Sequence, residues 1–161
     1  MRRQPVDVPT AVRRYVDRMV ASGHAESTFQ VVVEREVPEV WADPDRLDQV
    51  LANLLENAVR HGDGTVEVVV AARTEPIGDG EPVPVLAVTI SDEGEGIAEE
   101  DMQRVFTRFW HGRSRGGTGL GLYLVRGLIE AHGGRIAVSR APSGGARFRF
   151  TLPAEVPEHV A

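Results

Sequence analysis

The sequence predicts a single domain of the α+β class, and three observations support this prediction. Its 161 residues are enough for one compact domain with a real core and too few for two ordinary domains. Several segments repeat apolar residues at helical spacing, about 100° per residue. Other segments are rich in Val and Ile and are bounded by turn-forming residues, which indicates strands and hairpins.

The first part of the chain is predicted to form a helix and a strand. Residues 9–22 repeat apolar side chains at helical spacing, and the helix should end at Ser22 and Gly23. Residues 28–37 are rich in Val and alternate loosely, which predicts a strand, and residues 38–41 lead out of it.

A long second helix is predicted from Asp43 to about His61. Asp43 suits the N-cap, because its side-chain oxygen can accept a free backbone N–H. Pro44 suits the first helical position, where a backbone N–H is not needed. Gly62 is expected to stop the helix.

Two hairpins and two further helical segments complete the prediction. Strands over residues 65–73 and 83–91 should pair through the polar loop 75–82. The remaining predicted segments are a short helix over 98–109, a helix over 119–132 ended by Gly133 and Gly134, a closing hairpin of 135–140 with 146–152, and a frayed tail after Pro153.

Composition excludes several classes of function. The formal net charge of −6 argues against a nonspecific nucleic-acid binder and does not support binding to anionic membranes. The chain has no cysteine, which excludes disulfides and thiolate zinc sites and permits a cytoplasmic location. No apolar run approaches the length of a membrane span. All 18 basic residues are arginine, which excludes a Walker-A loop because that motif needs lysine.

The second helix carries two carboxamides that a plain core helix would not need. Asn53 and Asn57 lie one turn apart and share one edge of the helix with Arg60, beside an apolar stripe. An amide oxygen can accept hydrogen bonds and bind Mg²⁺ without adding negative charge, which suits a site that receives polyphosphate. Arg60 and His61 supply hydrogen-bond donors nearby.

Two glycine-rich loops follow this helix. In the first, Asp92 ends an apolar strand just before Gly94 and Gly96, so a flat ligand could approach the backbone and Asp92 could accept a hydrogen bond from an amine. Taken alone, this segment is more often an acidic surface turn. In the second, residues 116–122 lead into an amphipathic helix, where free amides and the positive helix end can bind phosphate. A flexible hinge with a helix cap is the alternative, and Leu122 departs from the dinucleotide fingerprint.

Together the motifs resemble the catalytic ATP-binding domain of bacterial sensor histidine kinases. They are an Asn-x-x-x-Asn helix, an Asp-x-Gly-x-Gly loop, a Phe-x-x-Phe segment at residues 106–109 and a Gly-x-Gly-x-Gly loop that opens a helix, in the family order. The superfamily also includes gyrase, a heat-shock chaperone and mismatch-repair ATPases. The resemblance covers residues 28–152.

The family fold is a two-layer α/β sandwich of the Bergerat type. It implies a mixed, mostly antiparallel sheet with three helices on one face, formed here by residues 28–152. Residues 1–27 are then expected to be a connector helix from an upstream dimerisation hairpin, and residues 153–161 a flexible tail.

The resemblance also implies the cofactors ATP and Mg²⁺ and a set of binding residues. Asn57 would be catalytic, contacting Mg²⁺ and the phosphates, with Asn53 beside it. Arg60 would approach the phosphates and His61 would lie against the adenine. Asp92 would bind the exocyclic amine of adenine, partly through water.

The resemblance also implies roles for the loops that enclose the nucleotide. Gly94, Gly96 and Ile97 would line the space for the base, and Arg108 would be catalytic and point at the terminal phosphate. Residues 110–117 would be a mobile lid. The residues expected to close over the triphosphate are Gly117, Thr118, Gly119, Leu120, Gly121 and Leu122.

The branch of the superfamily determines the expected reaction. Hydrolases and serine kinases of this superfamily place a Glu four residues before the Mg²⁺-binding Asn, whereas this chain has Asn53 there. Glu56 is not a substitute, because it falls on the far side of the helix and should be exposed to solvent. The domain should therefore hydrolyse ATP poorly and present the γ-phosphate to a neutral imidazole.

The phosphate acceptor is expected outside this chain. In histidine kinases the acceptor histidine lies in a His-Glu/Asp-x-x-x-Pro motif, and none of the five histidines of this chain does. The resemblance implies a histidine-bearing dimerisation domain as partner, with a response regulator downstream and neither nucleic acid nor membrane bound by this chain. The chain is either an excised domain or half of a split kinase, and the first is favoured. The expected location is cytoplasmic, in the cytoplasmic part of a membrane-bound receptor.

Two other classes of function are less consistent with the sequence. An anti-sigma-type serine kinase is disfavoured by Asn53 and by the complete Gly-x-Gly-Leu-Gly-Leu motif at residues 117–122. A module that binds nucleotide only to regulate a partner, without transfer, is disfavoured because every motif is intact.

Overall fold

The computed structural model describes residues 1–61, 64–76, 78–108, 110 and 121–154, without the side chain of His61. The three α-helices of this part are α1 (Val8–Ala21), α2 (Pro44–His61) and α3 (Gly121–Ala131). The strands are β1 (Gln4–Val6), β2 (Phe29–Val33), β3 (Val40–Ala42), β4 (Val66–Pro76), β5 (Pro82–Ser91), β6 (Arg135–Arg140) and β7 (Ala146–Pro153).

The main sheet has five strands in the order β2-β4-β5-β7-β6. Strand β2 pairs with β4 in parallel, and every other neighbouring pair is antiparallel. A separate two-stranded sheet joins β1 and β3. The predicted α+β architecture, with three helices and a mixed, mostly antiparallel sheet, is confirmed.

One hydrophobic core lies between the helices and the sheet. Alternate strand residues point into it, which is the period-two pattern of a half-buried sheet. The apolar stripe predicted on α2 is fully buried, which confirms the helical interpretation. Core members from the strands and from α2 include Val68, Val70, Val88, Ile90, Phe148, Phe150, Leu47, Val50, Leu51, Leu54, Leu55 and Ala58.

Helix α1 packs into this same core. Asp7 caps it by accepting a hydrogen bond from the backbone N–H of Thr10 (3.2 Å). Val8 and Val12 are completely buried. Tyr15 lies against Glu56 of α2, and burial together with that carboxylate raises the pKa of the Tyr15 hydroxyl. Residues 1–27 thus share the core of residues 28–152, and their connector role stays a prediction.

Asp43 joins three parts of the fold at the start of α2. Its Oδ1 accepts hydrogen bonds from the backbone N–H groups of Asp45 (3.0 Å) and Arg46 (3.3 Å), as predicted for an N-cap. Its Oδ2 accepts one from the backbone N–H of Arg2 (2.8 Å). The Arg2 contact, followed by the two helix amides, lowers the pKa of Asp43.

Asp43→Asn is expected to lower the free energy of unfolding at neutral pH and to have no effect in strong acid. Because its folded-state pKa is lowered, ionised Asp43 stabilises the fold above the ordinary pKa of aspartate, and this contribution disappears as the pH falls through the folded-state value. Asparagine keeps a cap acceptor but does not titrate. Urea unfolding at several pH values measures the difference, with Asp45→Asn as the control. Identical pH dependence in wild type and Asp43→Asn would contradict the expectation.

Several predicted elements differ in extent or type. Strand β2 ends at Val33 instead of residue 37, because Arg35 adopts a left-handed conformation (φ 47°) that an extended strand cannot contain. Residues 98–109 were predicted as a short helix, but their described part forms a 3₁₀ turn at Glu99–Asp101 and further turns. Val105 and Phe106 are adjacent, so a turn is sufficient to bury both side chains.

Other boundaries agree closely with the sequence. Helix α2 ends at His61, and both predicted hairpins form, with β4 and β5 extending further toward their loop than expected. Strands β1 and β3 were not predicted. The tail after Ala154 and the stop at Gly62 lie outside the described residues. In the described part of the chain, no helix combines the length and apolar character that a membrane crossing requires.

Candidate functional site

Helices α2 and α3 lie antiparallel and bring the Asn-bearing edge of α2 to the start of α3. The backbone N–H of Asp43 donates to Nε2 of His132 (3.1 Å), just after the end of α3. At the start of α3, a Cβ built on Gly121 would lie 3.6 Å from Oδ1 of Asn53, which is near the middle of α2. An amide oxygen therefore faces Gly121, the first residue of α3 in the described part of the chain. The N–H groups in the first turn of a helix lack intrahelical partners and can bind an anion.

The polar edge of α2 is accessible beside its buried apolar stripe. Asn53 and Asn57 are half-buried, whereas Arg60 is exposed. This is the arrangement expected for side chains that contact a ligand at the rim of the core. Glu56 is exposed and lies beside α1 through Tyr15, away from this edge, as the sequence predicted.

Asp92 is a buried carboxylate held by backbone amides, with 4% of its surface exposed. Its Oδ1 accepts hydrogen bonds from the N–H of Gly94 (2.9 Å) and of Ala146 (3.1 Å). Among the described residues, these two amides are its only side-chain hydrogen-bond partners. These contacts fix the orientation of the second oxygen, Oδ2, which accepts no hydrogen bond from the described residues. A carboxylate oxygen held in this way can accept a hydrogen bond from an amine.

The turn between β6 and β7 supports the Asp92 loop, and the sequence did not predict this contact. Ser143 donates its hydroxyl to the backbone oxygen of Asp92 (3.0 Å). A Cβ on Gly145 would collide with Asp92, and one on Gly96 would lie 2.6 Å from the backbone oxygen of Gly144. The available signal was the pair Gly144 and Gly145, which a hairpin turn alone also explains.

Arg108 reaches the first turn of α3. Its guanidinium lies 5.5 Å from the centre of the exposed Tyr123 ring, which is a cation–π distance. The segment before it is anchored in the core, where Phe106 meets Phe148 edge to face with ring centres 6.1 Å apart. Ile97 and Leu122 are partly buried against the same core.

Some predicted site residues lie outside the described part of the chain. These are Gly117, Thr118, Gly119, Leu120, the lid after Trp110 and the side chain of His61. The structure does bring together Asn53 and Gly121, and separately Asp92, Gly94 and Gly96 with the turn after β6. The roles assigned to these residues stay predictions.

The described residues contain no cluster of three or more His, Asp or Glu side chains that could hold a metal ion by themselves. The groups on the polar edge of α2 are amides, which are oxygen ligands acceptable to Mg²⁺. Magnesium typically keeps several waters and shares substrate phosphates with one or two protein ligands. The donor set therefore fits an ion that arrives with a polyphosphate.

The chain matches the family model described as histidine kinase-, DNA gyrase B- and HSP90-like ATPase over residues 42–156. It is 38% identical over 138 residues to the alginate biosynthesis sensor protein KinB of Pseudomonas aeruginosa, covering 84% of this chain. The aligned region spans only 22% of the length of KinB.

Two of the solved structures that share the fold illustrate the match. The mycobacterial sensor histidine kinase MprB is 26% identical with a TM-score of 0.74, and the match covers 97% of this chain and 100% of that one. Full-length ShkA in complex with AMPPNP is 28% identical with a TM-score of 0.74, and the match covers 98% of this chain and 32% of that one.

Proposed function

The chain belongs to the family of histidine kinase-, DNA gyrase B- and HSP90-like ATPases, and we propose that it is the catalytic domain that supplies the phosphate in a sensor histidine kinase. It binds ATP·Mg²⁺ and donates the γ-phosphate to a histidine on a separate dimerisation domain or partner chain. The observation that supports this most directly is the approach of Asn53 to Gly121, which sets an amide edge against a helix N-terminus.

The chain's own residues divide into a base side and a phosphate side. On the base side, Asp92 accepts a hydrogen bond from the exocyclic amine of adenine, and His61 lies against the ring. Gly94, Gly96 and Ile97 leave room for the base. On the phosphate side, the backbone at the start of α3 and the residues 117–120 bind the triphosphate, with Arg60 and Arg108 as cationic donors.

Asn57 is the residue that holds Mg²⁺ in this proposal, with Asn53 beside it. When bound, the ion neutralises charge on the phosphates. Asn57 needs only to orient it through one oxygen, and it adds no negative charge to the site. Because the described residues offer an amide edge and no carboxylate cluster, Mg²⁺ should bind far more tightly with nucleotide than without it.

The partner and the location follow from the same proposal. The acceptor lies on a histidine-bearing dimerisation domain in the same full-length protein or in a split partner, and a response regulator receives the phosphate. Residues 1–27 connect to that domain. The chain acts on the cytoplasmic side, within a membrane-bound receptor, and contacts neither nucleic acid nor lipid itself.

The isolated chain is expected to bind ATP·Mg²⁺ without labelling itself or turning over appreciable ATP. Positioning and charge neutralisation supply most of phosphoryl-transfer catalysis, so a bound triphosphate without an aligned nucleophile should persist. Incubation with γ-labelled ATP followed by an alkaline gel measures this. Stoichiometric phosphohistidine on this chain alone would overturn the argument for a separate acceptor.

Adding a separately purified histidine-bearing hairpin tests the transfer itself. Acid-labile phosphate on the hairpin supports the proposal. Acid-stable phosphoserine on an antagonist protein would instead identify an anti-sigma-type serine kinase. Binding of ATP without transfer to either protein would identify a regulatory nucleotide-binding module.

A further inference from the structure

The Asp92 loop carries two exposed glutamates, and only one of them reaches another element in the described part of the chain. The Glu93 carboxylate accepts a hydrogen bond from the backbone N–H of Thr65, which lies 28 residues earlier. Thr65 belongs to the connection between α2 and β4. The contact therefore links the loop that carries Asp92 to the segment that leaves the Asn-bearing helix.

The backbone at Gly64 is shaped to receive this carboxylate. Gly64 has a φ of +95°, a conformation that residues with a Cβ rarely adopt. A Cβ built there would overlap the Glu93 carboxylate, with its Cδ only 3.2 Å away. Because residue 64 has no side chain, the Glu93 carboxylate has room beside the backbone N–H of Thr65, which donates a hydrogen bond to it.

We propose that Glu93 is a positioning residue for nucleotide binding. One side of the loop is already fixed, because Oδ1 of Asp92 accepts hydrogen bonds from Gly94 and Ala146. Glu93 fixes the other side against the chain that follows Arg60 and His61. It thereby sets the separation between the base-binding carboxylate and the end of α2. This inference rests on the proposed function.

The size of the effect follows from the exposure of the contact. A hydrogen bond at the surface contributes modestly, because water can replace either partner. Its loss leaves the loop and the segment before β4 joined only by the β4–β5 pairing, which ends at Glu67 and Ser91. Nucleotide binding then has to order both segments, which costs free energy. Glu93→Ala should therefore weaken nucleotide binding by about three- to tenfold.

Calorimetric titration with ADP and with ATP·Mg²⁺ tests the proposal on the full chain. Glu93→Ala is expected to lower the affinity for both nucleotides by the same factor, because positioning of the base site does not depend on the γ-phosphate. Glu93→Gln should restore affinity to within about twofold of wild type, since the amide oxygen can accept the Thr65 N–H. Glu95→Ala, in the same loop, is the matched control and should bind like wild type.

Gly64→Ala provides an independent variant, because its methyl group would occupy the space of the Glu93 carboxylate while Glu93 itself is unchanged. It should reproduce the loss seen with Glu93→Ala, whereas thermal unfolding reports any loss of fold separately. Wild-type affinity in Glu93→Ala, or equal losses in Glu93→Ala and Glu93→Gln, would overturn the inference. If the wild-type chain bound neither nucleotide, the proposed function itself would fail and this inference with it.

Discussion

Asn57→Ala is expected to weaken binding of ATP·Mg²⁺ by about 100-fold or more, which corresponds to roughly 3 kcal/mol. Asn57 is half-buried on the polar edge of α2, so the change removes a phosphate-side ligand and little core volume. Alanine also favours helix more than asparagine does, so α2 should form at least as well in the variant. A loss of binding would then report on the site and not on the fold.

Calorimetric titration with ATP in the presence of Mg²⁺ and in the presence of a chelator isolates the role of the ion. In wild type, Mg²⁺ should tighten ATP binding, and in Asn57→Ala this difference should vanish. Glu56→Ala is the matched control on the same helix, because Glu56 faces Tyr15 of α1. A folded Asn57→Ala protein that keeps wild-type affinity would refute the role assigned to this helix.

Local signals predicted most of the fold. The start of α2 was predictable because an N-cap and a first-turn proline act within a few residues, and the structure shows Asp43 accepting the expected amides. The buried stripe of α2 was predictable because helical spacing alone determines which side chains share a face. Both hairpins followed from Val-rich segments that meet at turn-forming residues.

Contacts between distant segments could not be predicted in this way. Strand β1 has only three residues and no alternation, and it exists because β3 pairs with it. The supports of Asp92 come from Ser143 and Ala146, more than fifty residues away, and Glu93 reaches back to Thr65. The motif order predicted that Asp92 belongs to a site, whereas its orientation depends on tertiary contacts that no local pattern encodes.

Asp92→Asn is expected to weaken the binding of ATP and of ADP equally, by about tenfold to 100-fold or roughly 1–3 kcal/mol, because a buried polar group loses its partner. In the structure, Oδ1 of Asp92 already accepts two backbone N–H groups. An asparagine should keep its oxygen on these donors, since turning its NH₂ group toward them would set donor against donor. Its NH₂ group would then replace Oδ2 and face the amine of adenine, again donor against donor.

This geometry makes the loss specific to the base. Asp92→Asn should leave thermal stability nearly unchanged, because both amide contacts of the loop survive, and the losses for ATP and ADP should be equal because no phosphate is touched. Asp92→Ala is the contrasting variant: it removes the acceptor of Gly94 and Ala146 and should lower stability as well. Calorimetric titration with ATP, ADP and GTP measures the base preference. GTP binding to the wild type as tightly as ATP would show that Asp92 does not read the adenine amine.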